Sequence, residues 1–250
     1  MSKLTSNEKK TLYVLIGVFI LFLLEYTLFD LRVISSRLED FLSVFILGLI
    51  GIYIYTQPRA MHKTKTRLVS YFMVWTLTAG FIYLLVYFGC GFVFGFGINP
   101  YKRSASGIIT NTLIFGGLII LKEWIRNFVV NKPDKKKLVF FSAVIIVLFT
   151  ANEVNLQDLL NTRSIEAFTI ILSEKVLPAL ALNIFLTYVC YVAGFLPAVI
   201  YALVINVPVW LFNNLPNLEW IVVAVLGISF PMITLVALME TVSYQGAEKT

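Results

Sequence analysis

Apolar residues in this chain neither alternate nor keep to one face. They run on for a helix length at a time, and polar residues gather in the gaps. The runs fall at about 11–29, 41–55, 68–87, 106–130, 138–151, 176–192, 195–212 and 218–239. A bilayer core about 30 Å thick is crossed by about 20 apolar residues in helical form. Lipid offers no partner to a backbone N–H or C=O, so spanning segments are helices or closed barrels. Runs without period-two alternation exclude a barrel. The pattern predicts an all-α polytopic transmembrane helical bundle of about eight spans, with residues 1–250 as a single membrane domain. The count falls to seven if 195–212, which carries Pro197 and Pro208, is re-entrant. The polar stretch "NEVNLQDLLNTRSIEAF" spaces Leu and Ile among Asn, Asp and Glu, which predicts an interfacial helix at about 155–172. The first run opens like a secretory signal, but "EYTLFD" follows it instead of a small-residue cleavage site. That predicts an uncleaved signal-anchor.

Composition agrees. The chain is 59% hydrophobic and 14% charged, with mean hydropathy +0.86; soluble domains are about 45–50% apolar and about 25% charged. The net charge of +6 is not a nucleic-acid footprint, because the basic residues sit in short gaps between runs. There they report orientation. Fourteen fall on the side of the N-terminus, counting Lys122, Arg126 and the Lys132–Lys137 group, against six on the other. The other side holds most carboxylates. Both termini are therefore expected in the cytoplasm, with the lipid bilayer as the first partner and no nucleic acid.

Candidate chemistry is sparse. Cys90 and Cys190 form no CxxC pair. "GFGINPYKRSASGIITN" places Ser104 and Ser106 beside Lys102, a tempting nucleophile and base. An exposed lysine keeps a pKa near 10.4, too high for a general base. The stretch reads better as a turn: Gly95 and Gly97 for backbone freedom, Asn99-Pro100 as turn former, and Ser106 as N-cap of the next helix. His62 is the only histidine and has no companion ligands. No metal or cofactor is expected. Glu123 and Arg126, spaced i,i+3, share a helix face and are either a polar anchor between helices or an ordinary interfacial ion pair. Glu25 is the carboxylate most embedded in apolar sequence. Asn111, Asn183 and Asn206 could bridge helices. Trp75, Trp124, Trp210 and Trp220 fit interface belts.

Several stretches together resemble the N-terminal multi-pass membrane domain of long type I signal peptidases of clostridia and some archaea. Gly95, Gly97, Asn99, Pro100, Tyr101 and Asn111 match a Gly-x-Gly-x-Asn-Pro-Tyr element followed by a span with an early Asn. "LKEWIRNFVVN" matches a second element through Glu123, Arg126 and Asn131. "SEKVLPALALNIFLTY" matches a third through Ser173, Glu174, Lys175, Leu177, Pro178, Asn183, Thr187 and Tyr188, with Leu182 standing where the family carries Glu. "LPNLEWIVVAVLGISFP" matches the last through Leu215, Pro216, Asn217, Trp220, Gly227 and Pro231. The resemblance covers roughly 70–240. It implies a bacterial plasma-membrane protein of signal-peptide processing, whose partners are signal peptides of secreted pre-proteins or a protease domain.

In that family the serine nucleophile lies in a Ser-x-Ser-Met-x-Pro motif after a further span. "SASGII" is not that motif, and it precedes an inward span. The expectation is a non-catalytic domain, either part of a protease or a stand-alone paralogue, that anchors the protease or orients its substrate. The alternative is a small multi-pass transporter or lipid-handling protein. That would show polar groups facing a cavity and broken helices near the midplane.

Overall fold

The computed structural model describes residues 4–30, 36–58, 65–99, 104–154, 159 and 162–247. The described chain is all-α apart from two three-residue strands. Helices α1 (Ser6–Asp30), α2 (Ser36–Tyr55) and α3 (Lys65–Phe94) lead to strand β1 (Phe96–Ile98). Helices α4 (Ala105–Asn131) and α5 (Leu138–Glu153) follow. The short α6 (Ile165–Ile171) runs through a π-turn (Leu172–Val176) into α7 (Leu177–Ala193). Helix α8 (Phe195–Leu211), strand β2 (Asn214–Pro216) and α9 (Trp220–Ala247) complete the chain.

Five helical stretches are long and apolar enough to cross a membrane: Ser6–Thr27, Leu68–Phe94, Ser106–Asn131, Ile165–Ala193 and Trp220–Ser243. Three apolar helices are shorter: Asp40–Tyr55, Leu138–Glu153 and Phe195–Leu211. At 1.5 Å per residue the latter two are about 24–26 Å long, a little under the hydrocarbon thickness.

The expected interfacial helix and sixth span are joined. Ile165–Ala193 is one helical run, entered through Ser164, whose hydroxyl accepts from the Ala167 N–H at 3.1 Å. Residues 155–158, 160 and 161 lie outside the described set. The physical reason is the π-turn. Pro178 has no N–H to give the carbonyl of Glu174. Just before it, the Leu177 N–H reaches back to Leu172, so the helix takes up an extra residue instead of breaking.

Two apolar cores sit side by side, and α4 feeds both. Val14, Val18, Leu21, Leu47, Phe141 and Ile145 pack on Ile125 and Val129. Phe72, Phe185, Val189, Ala198, Tyr201 and Leu238 pack with Val130. Large apolar side chains such as Phe45, Leu85, Leu113 and Ile233 face outward, as lipid contact requires.

The start of α1 is locked by a capping box. The Thr5 N–H donates to Glu8 Oε2 at 2.8 Å, and the Glu8 N–H to Thr5 Oγ1 at 3.4 Å, the reciprocal arrangement of Thr-x-x-Glu. Lys137, before α5, reaches the same carboxylate at 2.8 Å. Further along α1, Glu25 accepts from the Ser43 hydroxyl of α2 and the Asn152 amide of α5. The embedded carboxylate is thus a tie between three helices.

At the opposite end, β1 pairs antiparallel with β2, Gly97 facing Leu215. Gly95 makes this possible: its φ of 90° ends α3 in a conformation side chains resist. The close approach of α7 and α9 rests on Gly227, where a Cβ would stand 2.6 Å from the Pro178 ring. Neither the ring nor the backbone behind it can yield, so Gly227→Ala is expected to cost about 1–3 kcal/mol. Thermal unfolding in detergent measures this; an unchanged midpoint would show that the helices part freely.

Candidate functional site

The strongest polar feature is Arg126, fully buried at 0% exposure. A guanidinium has five N–H donors, and all five are used. Nε and one terminal nitrogen grip the Glu123 carboxylate at 2.9 and 3.1 Å. The same terminal nitrogen donates to Asn183 Oδ1 at 2.6 Å. The other donates to the Asn183 carbonyl at 3.2 Å and to Thr187 Oγ1 at 2.9 Å. The ring of Phe149 lies 4.9 Å from the guanidinium carbon. Helical spacing explains the geometry: Glu123 and Arg126 are one turn apart on α4, and Asn183 and Thr187 one turn apart on the facing α7.

The network extends. Asn183 Nδ2 donates to Glu153 Oε2 and to the Ala179 carbonyl, both at 2.9 Å, with Thr150 Oγ1 at 3.4 Å. Lys122 pairs with Glu153 at 3.6 Å. Cys190 turns its thiol toward Glu123 Oε2 at 3.6 Å. Two cations and two carboxylates therefore balance inside the bundle. The i,i+3 pair is the anchor between helices, not the interfacial ion pair that was the other reading. Lys122 and Arg126 also leave the loop group used for orientation, which reduces fourteen basic residues to twelve against six. Sequence reading passed over Lys122, Thr150, Glu153 and Cys190 as members. The available signal was a Thr-x-x-Glu pair closing the apolar run of α5.

Ser104, not Ser106, is the N-cap of α4, accepting from the Gly107 N–H at 3.1 Å. The helix begins two residues earlier than expected because Ala105 and Ser106 already hold helical geometry. Asn99 is 5% exposed, and its amide donates to the carbonyls of Val209 at 2.6 Å and Phe212 at 2.7 Å, closing the end of α8. Pro216 ends β2 opposite Phe96, and Trp220 opens α9. Tyr188 packs against the second core, and Asn206 donates to the Ala202 carbonyl at 2.8 Å. The Asn111 Nδ2 is buried with no hydrogen-bond partner among the described residues. Pro100, Tyr101, Lys102 and His62 lie outside the described residues. No group of three His, Cys, Asp or Glu able to hold a metal occurs among the described residues. Outside the spans, Lys132 donates to the Pro58 carbonyl at 2.7 Å; burial, then the charge of Lys10, pulls its pKa below the ordinary lysine value.

Beside the network lies a cavity of about 590 Å³ between α3, α4, α7, α8 and α9. Its walls are mainly apolar, among them Phe115, Leu186, Ile205 and Val223, while Lys122, Glu123 and Glu153 give it a charged patch. The size suits a drug-sized or side-chain-rich ligand. No family model, curated protein or solved structure matches the chain.

Removing the guanidinium strands a buried carboxylate. Arg126→Ala is expected to lose about 3–5 kcal/mol, whereas Glu123→Leu with Arg126→Met loses less than Arg126→Ala alone. Unfolding midpoints of the three proteins in one detergent test this ordering.

Proposed function

We propose that the chain is the non-catalytic membrane domain of a signal peptidase I-like protein, and that it orients the apolar segment of a pre-protein within the cavity between α3, α4, α7, α8 and α9. The observation that carries this reading is how the resembling stretches meet. The four stretches are separate in sequence, yet their residues interlock in pairs. Asn217 donates to the Gly95 carbonyl at 2.9 Å, and Asn99 holds the loop before β2. Arg126 holds Asn183 and Thr187, Asn131 donates to the Cys190 carbonyl just beyond the third stretch at 3.1 Å, and Pro178 seats on Gly227. One frame built from four stretches supports a common function for them. The cavity it encloses is wide and apolar enough for side chains of a hydrophobic segment.

The orientation is proposed with both termini in the cytoplasm of a bacterial plasma membrane. Lys132 against Pro58 and Lys137 against Glu8 gather four helix ends on one side, which is the side richer in Lys and Arg. A second reading, transport or lipid handling, has its own support. Charged residues line a cavity, Pro208 and Pro231 sit inside two of the helices that wall it, and the π-turn leads into a third.

A photo-crosslinking residue at Ile205 separates the two. The pre-protein reading expects an adduct with a radiolabelled pre-protein, abolished when an arginine is placed in its apolar segment. Adducts with lipid alone would overturn it and favour the second reading. The purified chain is also expected to leave the pre-protein intact. Cleavage that disappears in Ser104→Ala or Ser106→Ala would defeat the non-catalytic assignment.

A further inference from the structure

Strand β1 has one edge paired and one edge bare. The Asn99 N–H donates to the Asn213 carbonyl at 3.1 Å, and the Asn217 N–H to the Gly95 carbonyl at 2.9 Å. Bonded pairs recur every second residue in an antiparallel ladder, so Gly95, Gly97 and Asn99 face β2. The N–H and C=O groups of Phe96 and Ile98 turn the other way. Among the described residues nothing hydrogen-bonds to them. Both residues lie at the surface: Ile98 is 83% exposed and Phe96 42%.

The far edge of β2 is different. Its outward positions are Asn214 and Pro216, and proline has no N–H to offer a further strand. The small sheet is therefore closed on one side and open on the other. What the open edge presents is two donors and two acceptors at a two-residue repeat, which only another extended backbone matches. Phe96 and Ile98 share a sheet face, so the matching strand would place apolar or β-branched side chains beside them.

Position adds to this. Asn99 fastens the strand to Val209 and Phe212, and Val209 and Trp210 line the cavity. The open edge thus stands at the same end of α8 where a chain lying in the cavity would leave it.

We infer that β1 takes an extended polypeptide as a third strand, and that this segment is the stretch of pre-protein adjoining the apolar part held in the cavity. The identity of the segment rests on the pre-protein reading; the strand addition does not.

The test is amide hydrogen exchange of the full chain in detergent, resolved at Phe96 and Ile98. The probe is a decapeptide of alternating Val and Thr with a lysine at each end. Exchange at both amides is expected to slow about tenfold at saturating peptide. The same peptide N-methylated at every second residue should give no protection. Ile98→Pro removes a bare-edge donor and none of the ladder bonds, and Gly97 before it is already extended, as proline requires. This variant has no amide at position 98, and it should lose the protection at Phe96 while unfolding at an unchanged midpoint.

Equal protection by both peptides would mean mere apolar contact and would overturn the inference. So would protection that rises with protein concentration without peptide, since a second copy would then occupy the edge. If Ile205 still crosslinks to pre-protein but β1 is never protected, only the strand addition fails. If β1 is protected by the peptide but no pre-protein crosslinks, the strand addition stands and the pre-protein reading falls.

Discussion

One guanidinium decides how this bundle is assembled. A charge inside apolar surroundings is tolerated only when it is paired and fully hydrogen-bonded. Arg126 meets that condition by taking acceptors from two helices, a carboxylate on its own and an amide, carbonyl and hydroxyl on α7. Rotating α7 by even one residue would remove both Asn183 and Thr187 from reach. The pairing therefore fixes register between α4 and α7 in a way that apolar packing alone does not. Asn183 then hands the constraint to α5 through Glu153.

The cavity follows from the same constraint. With α4 held to α7 and α5 on one flank, the second core gathers α3, α8 and α9 on the other. Pro178 against Gly227 sets how closely α9 approaches. Between these fixed contacts the helices do not fill the space, and what lines it is apolar with Lys122, Glu123 and Glu153 at hand. The charges that hold the frame are also charges that a ligand would meet. A cluster in balance favours an occupant without strong net charge at that point.

How much of this could be read beforehand depends on range. Apolar runs located eight helices, because lipid-facing and core-facing surfaces are both apolar and leave no ambiguity of face. The join of 165–172 to 176–192 was not readable, since Ser173, Glu174 and Lys175 look like a break and the π-turn carries the helix through them. Ser106 was a fair cap by residue type; Ser104 won by two positions, a margin that side-chain chemistry cannot settle. Glu123 and Arg126 were legible as a pair, but the partners that make them an anchor lie some sixty residues away. Glu25 looked solitary for the same reason, its partners being on α2 and α5. Local spacing shows a charge; only the fold shows what answers it.

The first helix has a particular relation to time. Translation delivers α1 before α5, so Glu8 waits for Lys137 and Glu25 waits for Asn152. The partners lie 129 and 127 residues further along the chain, and both must emerge before these contacts form. Until then α1 sits in the bilayer incompletely answered, free to tilt or slide. Helix α1 is thus seated only when α5 arrives, and a nascent chain stalled before residue 137 would hold an α1 that has inserted but not docked.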